Sequence, residues 1–313
     1  MDLRGKNVLL TGASSGIGRE LALALGERGA VLALAARREG ALNKVADEVR
    51  NEHGERPVVL SADLAVRGEA QRLASRAEEQ LGPIDVLINN AGASVHGLQW
   101  VCGDRDEGRS LFELLYWSSL RLVAELVPGM RQRKLGSVVN VSSLAQGAPF
   151  PGLGHYVAAK AALSGATRTL QLELRRSGVQ AIDVLFGTVD TPGSNVQHAL
   201  PGGERWLKSV PKGKAATAAR RVARAIERER RVVIYPGFLR SSYVFPSFAR
   251  VFARYYARAV DPNDQSVRET WLAPETTVLR EQWEREHYGA PLGPVTSNGT
   301  ATEETVDSVT HER

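Results

Sequence analysis

Tyr156 and Lys160 stand four residues apart in the run YVAAK, and an i, i+4 spacing puts both side chains on one face of a helix. A free tyrosine, with a pKa of ~10, is a poor acid or base near neutrality. A cation beside it stabilises the phenolate and brings the group towards the operating pH. A lysine in that position also reaches a ribose hydroxyl. Ser143 lies thirteen residues before Tyr156 and closes a serine pair at a strand exit, where its hydroxyl can hold a carbonyl oxygen. Moving a proton on and off an oxygen held by a serine is half of the interconversion of a ketone and an alcohol. The other half is a hydride.

The stretch TGASSGIG, Thr11 to Gly18, follows an apolar run and opens a helical one. Gly12 permits a tight turn, Gly16 lets backbone approach a pyrophosphate at a helix N-terminus, and Gly18 allows close helix–strand packing. Ser14, Ser15 and Ile17 fill the loop between them. About 20 residues further on, NAD-binding folds place an acid against the ribose 2′-hydroxyl. Here that place holds Arg37 and Arg38. A guanidinium clamps a 2′-phosphate that a carboxylate would repel. The expected cofactor is therefore NADP(H), with Arg37 as the main contact and Ser14 or Ser15 assisting.

Positioning these residues requires strands alternating with helices. Apolar runs at Asn7–Thr11, Val31–Ala36, Val58–Ser61, Val86–Ile88, Ser137–Val141, Gln180–Phe186 and Val232–Tyr235 predict strands buried on both faces. Helical spacing fills Gly16–Arg28, Gly40–His53, Arg67–Leu81, Arg109–Arg133, Tyr156–Arg176 and Ala215–Arg230. Gly29, Gly54, Gly82, Gly136 and Gly178 mark helix ends. The pattern predicts an α/β fold: a doubly wound, seven-stranded parallel Rossmann-type sheet with helices on both faces, plus a C-terminal extension. Three units follow. Residues 1–237 form the dinucleotide-binding and catalytic domain, 238–288 an aromatic, basic extension, and 289–313 a disordered polar tail.

With TGASSGIG, NNAG (Asn89 to Gly92) and a serine thirteen positions before YVAAK, the chain resembles the short-chain dehydrogenase/reductase family over about Asp2 to Gly237. The resemblance implies that Tyr156 is the general acid/base and that Ser143 orients the substrate carbonyl. It implies that Lys160 lowers the tyrosine pKa and binds the nicotinamide ribose. It assigns the adenine contact to Asp63, and to Asn89 the steadying of the central strand beside the cofactor, with Ala91 and Gly92 next to it. Val189 and Thr191 match the loop that holds the carboxamide and phosphates. Assembly as a homodimer or homotetramer through the long helices at Arg109 and Tyr156 is also implied. Two positions depart from the family pattern. Leu115 stands where an Asn usually supports a water of the proton relay, and Ser118 and Ser119, on the same helix face, are the expected substitutes. Phe186 stands where a Pro usually precedes the equivalent of Gly187.

Composition limits the alternatives. The chain has 313 residues and one cysteine, Cys102, so no internal disulfide forms, which fits a reducing, cytoplasmic setting. No apolar run approaches the ~18 residues that span a bilayer. Six scattered histidines give no metal-ligand spacing, and His96 and His155 read as loop or pocket-wall residues. No GxSxG elbow surrounds Ser142 and Ser143, which argues against a hydrolase. Arg205 to Arg258 carries 14 Lys or Arg against the two acids Glu227 and Glu229, while Asp261 to Arg313 carries 11 acids against four arginines. The basic stretch matches no nucleic-acid-binding motif. It suits a peripheral contact with a membrane, at its inner surface, or with an acidic carrier protein. Val196, Leu200, Trp206, Leu207 and Val210 favour an apolar substrate, lipid-like or an acyl thioester. An NADPH-binding sensor or scaffold without turnover, and an isomerase, epimerase or dehydratase on the same fold, are the competing readings.

Overall fold

The computed structural model describes residues 1–93, 98–99, 106–147, 150–191 and 211–258. His96, Cys102, the apolar residues between Val196 and Val210, the acidic segment after Asp261 and the polar tail 289–313 lie outside the described residues. Seven parallel strands form one sheet in the order β3-β2-β1-β4-β5-β6-β9: β1 Asn7–Thr11, β2 Val31–Ala36, β3 Val58–Ser61, β4 Val86–Asn89, β5 Gly136–Ser143, β6 Val179–Phe186 and β9 Val232–Tyr235. A short parallel pair, β7 Val189–Asp190 and β8 Gly213–Lys214, stands apart from it. The pair is too short to leave a periodic signal in the sequence.

Strand residues alternate between two cores, as the period of two requires. Val8, Leu10, Leu32, Leu34, Ile88 and Val184 face helices α1 (Gly16–Gly26), α2 (Glu39–His53) and α7 (Ala215–Glu227). Leu9, Ala33, Ala35, Leu87, Val138 and Ala181 face the other side, against α3 (Glu69–Leu81) and α5 (Ser118–Arg133). Helix α6 (Gly154–Glu173) packs on β5 and β6.

The helix expected over Arg109–Arg133 is interrupted. Helix α4 (Asp106–Phe112) runs into a π turn at Glu113–Trp117 before α5 continues. Gly136 does not end that helix. Lys134, at φ 54°, is its left-handed terminus, while Gly136 opens β5 against Met130 Cβ, 2.6 Å from where its own Cβ would stand. After β9 come α8 (Arg240–Val244) and α9 (Pro246–Arg258), which pack on the turn Leu144–Gly147 that follows β5.

The order of strands fixes where a ligand can bind. The chain winds outward from β1 through β2 to β3, then restarts at β4 on the other side. The carboxyl ends of β1 and β4 are thus a topological switch point, the usual binding crevice of open α/β sheets. Backbone crowding at this crevice is severe. A Cβ on Gly18 would strike the Gly12 carbonyl oxygen and stand 2.8 Å from Asn90 Nδ2. Gly18→Ala is therefore expected to destabilise the protein by about 1–3 kcal/mol, the range for overpacking a close-packed interior. A chemical-denaturation curve superimposable on that of the unsubstituted chain would contradict this packing.

Candidate functional site

Every described residue singled out for chemistry lies at or beyond the carboxyl end of a strand. Thr11 ends β1, and its Oγ1 donates to Ile88 O at 3.2 Å while accepting from the backbone N–H groups of Asn90 and Ala91, each at 3.0 Å. Asn90 Nδ2 donates to Thr11 O at 3.0 Å and Gly12 O at 3.2 Å. These bonds pin the glycine loop to the end of β4. Asn89, the residue that the resemblance selects, points the other way: its Nδ2 donates to Asn140 Oδ1 at 2.8 Å. Asn140 Nδ2 donates in turn to Thr167 Oγ1 at 2.8 Å. The two asparagines thus divide the work, Asn90 holding the loop and Asn89 joining β4 to β5 and α6. Residue type within NNAG does not distinguish the role of Asn90 from that of Asn89.

The loop has the properties of an anion cradle. Gly12 and Gly16 sit at φ 67° and 55°, left-handed values that favour glycine. A Cβ on Gly16 would stand 3.2 Å from Thr191 Cβ, so the glycine loop and the stretch after β7 meet. Ser15, the N-cap of α1, makes no side-chain capping bond, and the first turn of α1 holds no acid. The backbone N–H groups at that helix start are therefore not neutralised by a carboxylate of their own helix. The residues present fit a nicotinamide dinucleotide. Val189 is buried beside this loop, Ile17 packs on the core, and Asp63 Oδ1 accepts from Ala65 N–H at 3.0 Å, bending the chain after β3.

At the end of β2 both arginines are exposed, but they differ in direction. Arg38 reaches back to the loop, its Nη2 standing 3.3 Å from Ser14 Oγ and 3.4 Å from Ser15 Oγ. Arg37, expected as the main contact, makes no such approach; its carbonyl accepts from Ser61 Oγ at 3.3 Å. The pairing of guanidinium with loop serines is thus met by the neighbouring residue.

Beyond β5, Ser143 and Tyr156 come within hydrogen-bonding reach. Ser143 Oγ also accepts from Ala145 N–H at 3.1 Å. Lys160 is buried one helical turn along α6, and its Nζ donates to Val141 O at 2.6 Å. Ser142 Oγ returns a bond to Lys160 O at 2.8 Å. Burial pushes the Tyr156 phenol above its ordinary value, against the lowering effect of Ser143. The expected lowering by Lys160 does not win here. Lys160 itself is lowered to about 8, mostly by burial, with the Asp183 carboxylate acting against that.

Leu115 falls in the π turn, 1% exposed, among Leu111, Ala159 and Tyr156, with its Cδ2 3.6 Å from where a Gly92 Cβ would stand. Methyl groups thus occupy the place where the family pattern has an amide. Ser118 and Ser119 do not take over as donors, because their hydroxyls bond back to Leu114 O at 2.7 Å and Leu115 O at 3.3 Å within the helix. Phe186 continues β6 opposite Ser143 and packs edge-on against Tyr235, with ring centroids 6.5 Å apart. Buried there, it adds to the apolar core on that face of the sheet. His155 packs against Gly108 of α4, as a wall residue.

One buried titratable group escaped the sequence reading. Asp183, in the middle of β6 and fully buried, accepts from Ser164 Oγ at 2.5 Å, and its Oδ1 has no hydrogen-bond partner among the described residues. Burial raises its pKa from 3.8 to about 6, against Ser164, Arg168 and Lys160.

The model of the family described as short chain dehydrogenase matches residues 6–199. A fatty acyl-CoA reductase of Mycobacterium tuberculosis is 34% identical over 239 residues, covering 72% of this chain and 80% of that protein. Two further relatives are matched over 61% and 57% of their own length. Among solved structures, a short-chain dehydrogenase from Sphingobium yanoikuyae in complex with NADPH aligns with a TM-score of 0.67 and 27% identity, over 83% of this chain and 98% of that one. A family member from Burkholderia phymatum in complex with NAD aligns with a TM-score of 0.69 and 25% identity, over 84% and 98%.

Asp183 yields a prediction with a definite sign. Its folded pKa lies above the unfolded value, so the native state holds the proton more tightly. That stabilisation is complete below about pH 4 and is lost as the pH rises through about 6. Asp183→Asn removes the buried charge at nearly constant shape. It is expected to raise unfolding free energy at pH 7.5 by on the order of 2–3 kcal/mol, and by almost nothing at pH 4. An equal gain at both pH values in urea titrations would show that ionisation of Asp183 is not the cause.

Proposed function

Because this chain belongs to the short-chain dehydrogenase/reductase family, we propose that it interconverts a ketone and a secondary alcohol on an apolar substrate, using NADP(H). The observation that carries the reading is the meeting of Ser143 and Tyr156 over buried Lys160, at the end of the sheet where the glycine cradle opens. When bound, the dinucleotide supplies or accepts the hydride. Gly12, Ser14, Ser15, Gly16, Ile17 and Gly18 would hold its pyrophosphate side, Asp63 its adenine, and Ala91, Gly92, Val189 and Thr191 its nicotinamide side.

Ser143 holds the substrate oxygen with its hydroxyl. Tyr156, raised in pKa and hence a phenol at neutral pH, donates its proton to that oxygen in reduction. The Lys160 ammonium, fixed on Val141 O, supplies the positive charge that favours the phenolate left behind. A protonated phenol in the resting site suits the reductive direction.

Arg38, with Ser14 and Ser15 beside it and no carboxylate at the end of β2, supports NADPH over NADH, and Arg37 is near enough in sequence to share the phosphate. The NADPH-bound relative agrees with this, and the NAD-bound one defines the alternative. Support for an apolar substrate comes from Leu144 and Leu239 beside Gly187 at the strand ends, and from the relative that bears the name of a fatty acyl-CoA reductase. Exposed Trp117 and Leu172, on the helical segments either side of β5, suit a homodimer or homotetramer. Leu115 favours a second reading, an NADPH-binding protein without turnover, because it leaves no amide at the relay position.

Two measurements test these readings. Titration of nicotinamide fluorescence is expected to show NADPH bound at least tenfold more tightly than NADH, and Arg38→Asp is expected to abolish that preference. Equal affinities in the unsubstituted protein would refute the phosphate clamp. Tyr156→Phe is expected to leave NADPH affinity within about threefold but lower kcat by ~10²–10⁴. A variant that turns over normally would remove Tyr156 from the chemistry.

A further inference from the structure

The stretch from Arg230 to Val260 contains six arginines and no acidic residue. Within it, α9 docks through Ala253, which is buried against Phe150. At 100° per residue, two adjoining ridges run from the flank of Ala253 round to the side opposite it. Arg250, Arg254 and Arg258 form one, and Val251 and Tyr255 form the next. All five are exposed, Val251 by 63% and Tyr255 by 54%. Phe238 and Phe245, 56% and 58% exposed, extend the apolar surface towards β9, and exposed Arg240 lies between them in sequence. Among the described residues, none of these four arginines is in an ion pair with a carboxylate.

A ridge of guanidinium groups beside a ridge of large apolar side chains suits a surface that is anionic at its face and apolar just beneath. A folded acidic protein would match the arginines but not the apolar ridge beside them. At 13 residues, about 20 Å long, α9 lies flat on such a surface. No helix among the described residues is long and apolar enough to cross a membrane.

The position of this arc ties it to the candidate site. Helices α8 and α9 pack on Leu144–Gly147, the turn that directly follows Ser143. Leu239, just ahead of α8, presses its Cδ1 against Gly187 at the end of β6, beside Leu144. We propose that residues 238–258 dock the protein on an anionic lipid bilayer, holding the Ser143 end of β5 near the membrane surface so that an apolar substrate enters from the lipid. The entry route rests on the apolar-substrate reading above; the docking itself does not.

The test is flotation of the full-length protein with vesicles of phosphatidylcholine alone or containing 30 mol% phosphatidylglycerol. Binding to the anionic vesicles should exceed binding to the neutral ones by at least tenfold and should weaken in 0.5 M salt. Arg250→Glu with Arg254→Glu should reduce it by at least about tenfold, and Val251→Asp should also reduce it, while both variants keep their affinity for NADPH as evidence of folding. Equal binding to both vesicle types, no binding to either, or full binding by the charge-reversed variant would overturn the proposal. So would a charge-reversed variant that changes sedimentation mass but not flotation, since the arc would then be an interface between copies. Loss of NADPH binding by the unsubstituted chain would refute the oxidoreductase reading and leave the flotation result standing.

Discussion

A reciprocal clasp between α6 and β5 holds the candidate site together. Lys160 Nζ donates to Val141 O at 2.6 Å, and Ser142 Oγ donates to Lys160 O at 2.8 Å. One bond is made by the helix side chain to the strand backbone, and the other runs from strand side chain to helix backbone. Together they fix both the height and the rotation of α6 on β5. Ser143 is the next residue along the strand, and Tyr156 is one turn back along the helix, so the clasp brings their hydroxyls together. A buried ammonium is costly unless it is hydrogen-bonded, and the bond to Val141 O meets that need. The lysine is therefore a structural fastener as well as a charge.

The clasp is useful only because the sheet topology gathers the other groups around it. The switch between β1 and β4 leaves a crevice at the carboxyl ends of the strands. Thr11 and Asn90 hold the glycine loop there, and the Asn89–Asn140–Thr167 series runs under β4 and β5 towards α6. Two polar networks thus meet at the site, one fixing the cradle and one fixing the helix with the tyrosine. Asp183 lies beyond the second, bonded to Ser164, one turn further along α6 than Lys160. Its interaction with Lys160 partly offsets the desolvation of both groups.

Much of this was legible in the sequence, and for physical reasons. Inner strands covered on both faces read as unbroken apolar runs, so β1 and β2 fall where the runs do, and the half-buried edge strands β3 and β9 still carry enough Val, Leu and Ile to be read. The glycine loop and YVAAK announce themselves by residue type at fixed spacing. Features that depend on a side chain's direction did not. Arg37 and Arg38 are adjacent and alike, and only the local path at the end of β2 turns Arg38 towards the serines. Asn89 and Asn90 are likewise adjacent, yet strand alternation sends one below the sheet and leaves the other at its edge. The π turn at Glu113–Trp117 keeps the helical pattern almost unbroken, and so it was invisible. Tyr156 was expected to be lowered by its lysine; burial raises it, and burial is a property of the whole fold.

The central claim is that this site moves a hydride between a nicotinamide and a carbonyl carbon. The most direct measurement is isotope transfer, with NADPH carrying deuterium at the transferable C4 position and a panel of medium-chain ketones, analysed by mass spectrometry. The account predicts an alcohol one mass unit heavier, with the deuterium on the carbinol carbon. Product formed with all the deuterium retained on the cofactor would instead mean isomerase or dehydratase chemistry. Tight NADPH binding with no labelled product from any ketone would contradict the account and leave a binding protein without turnover.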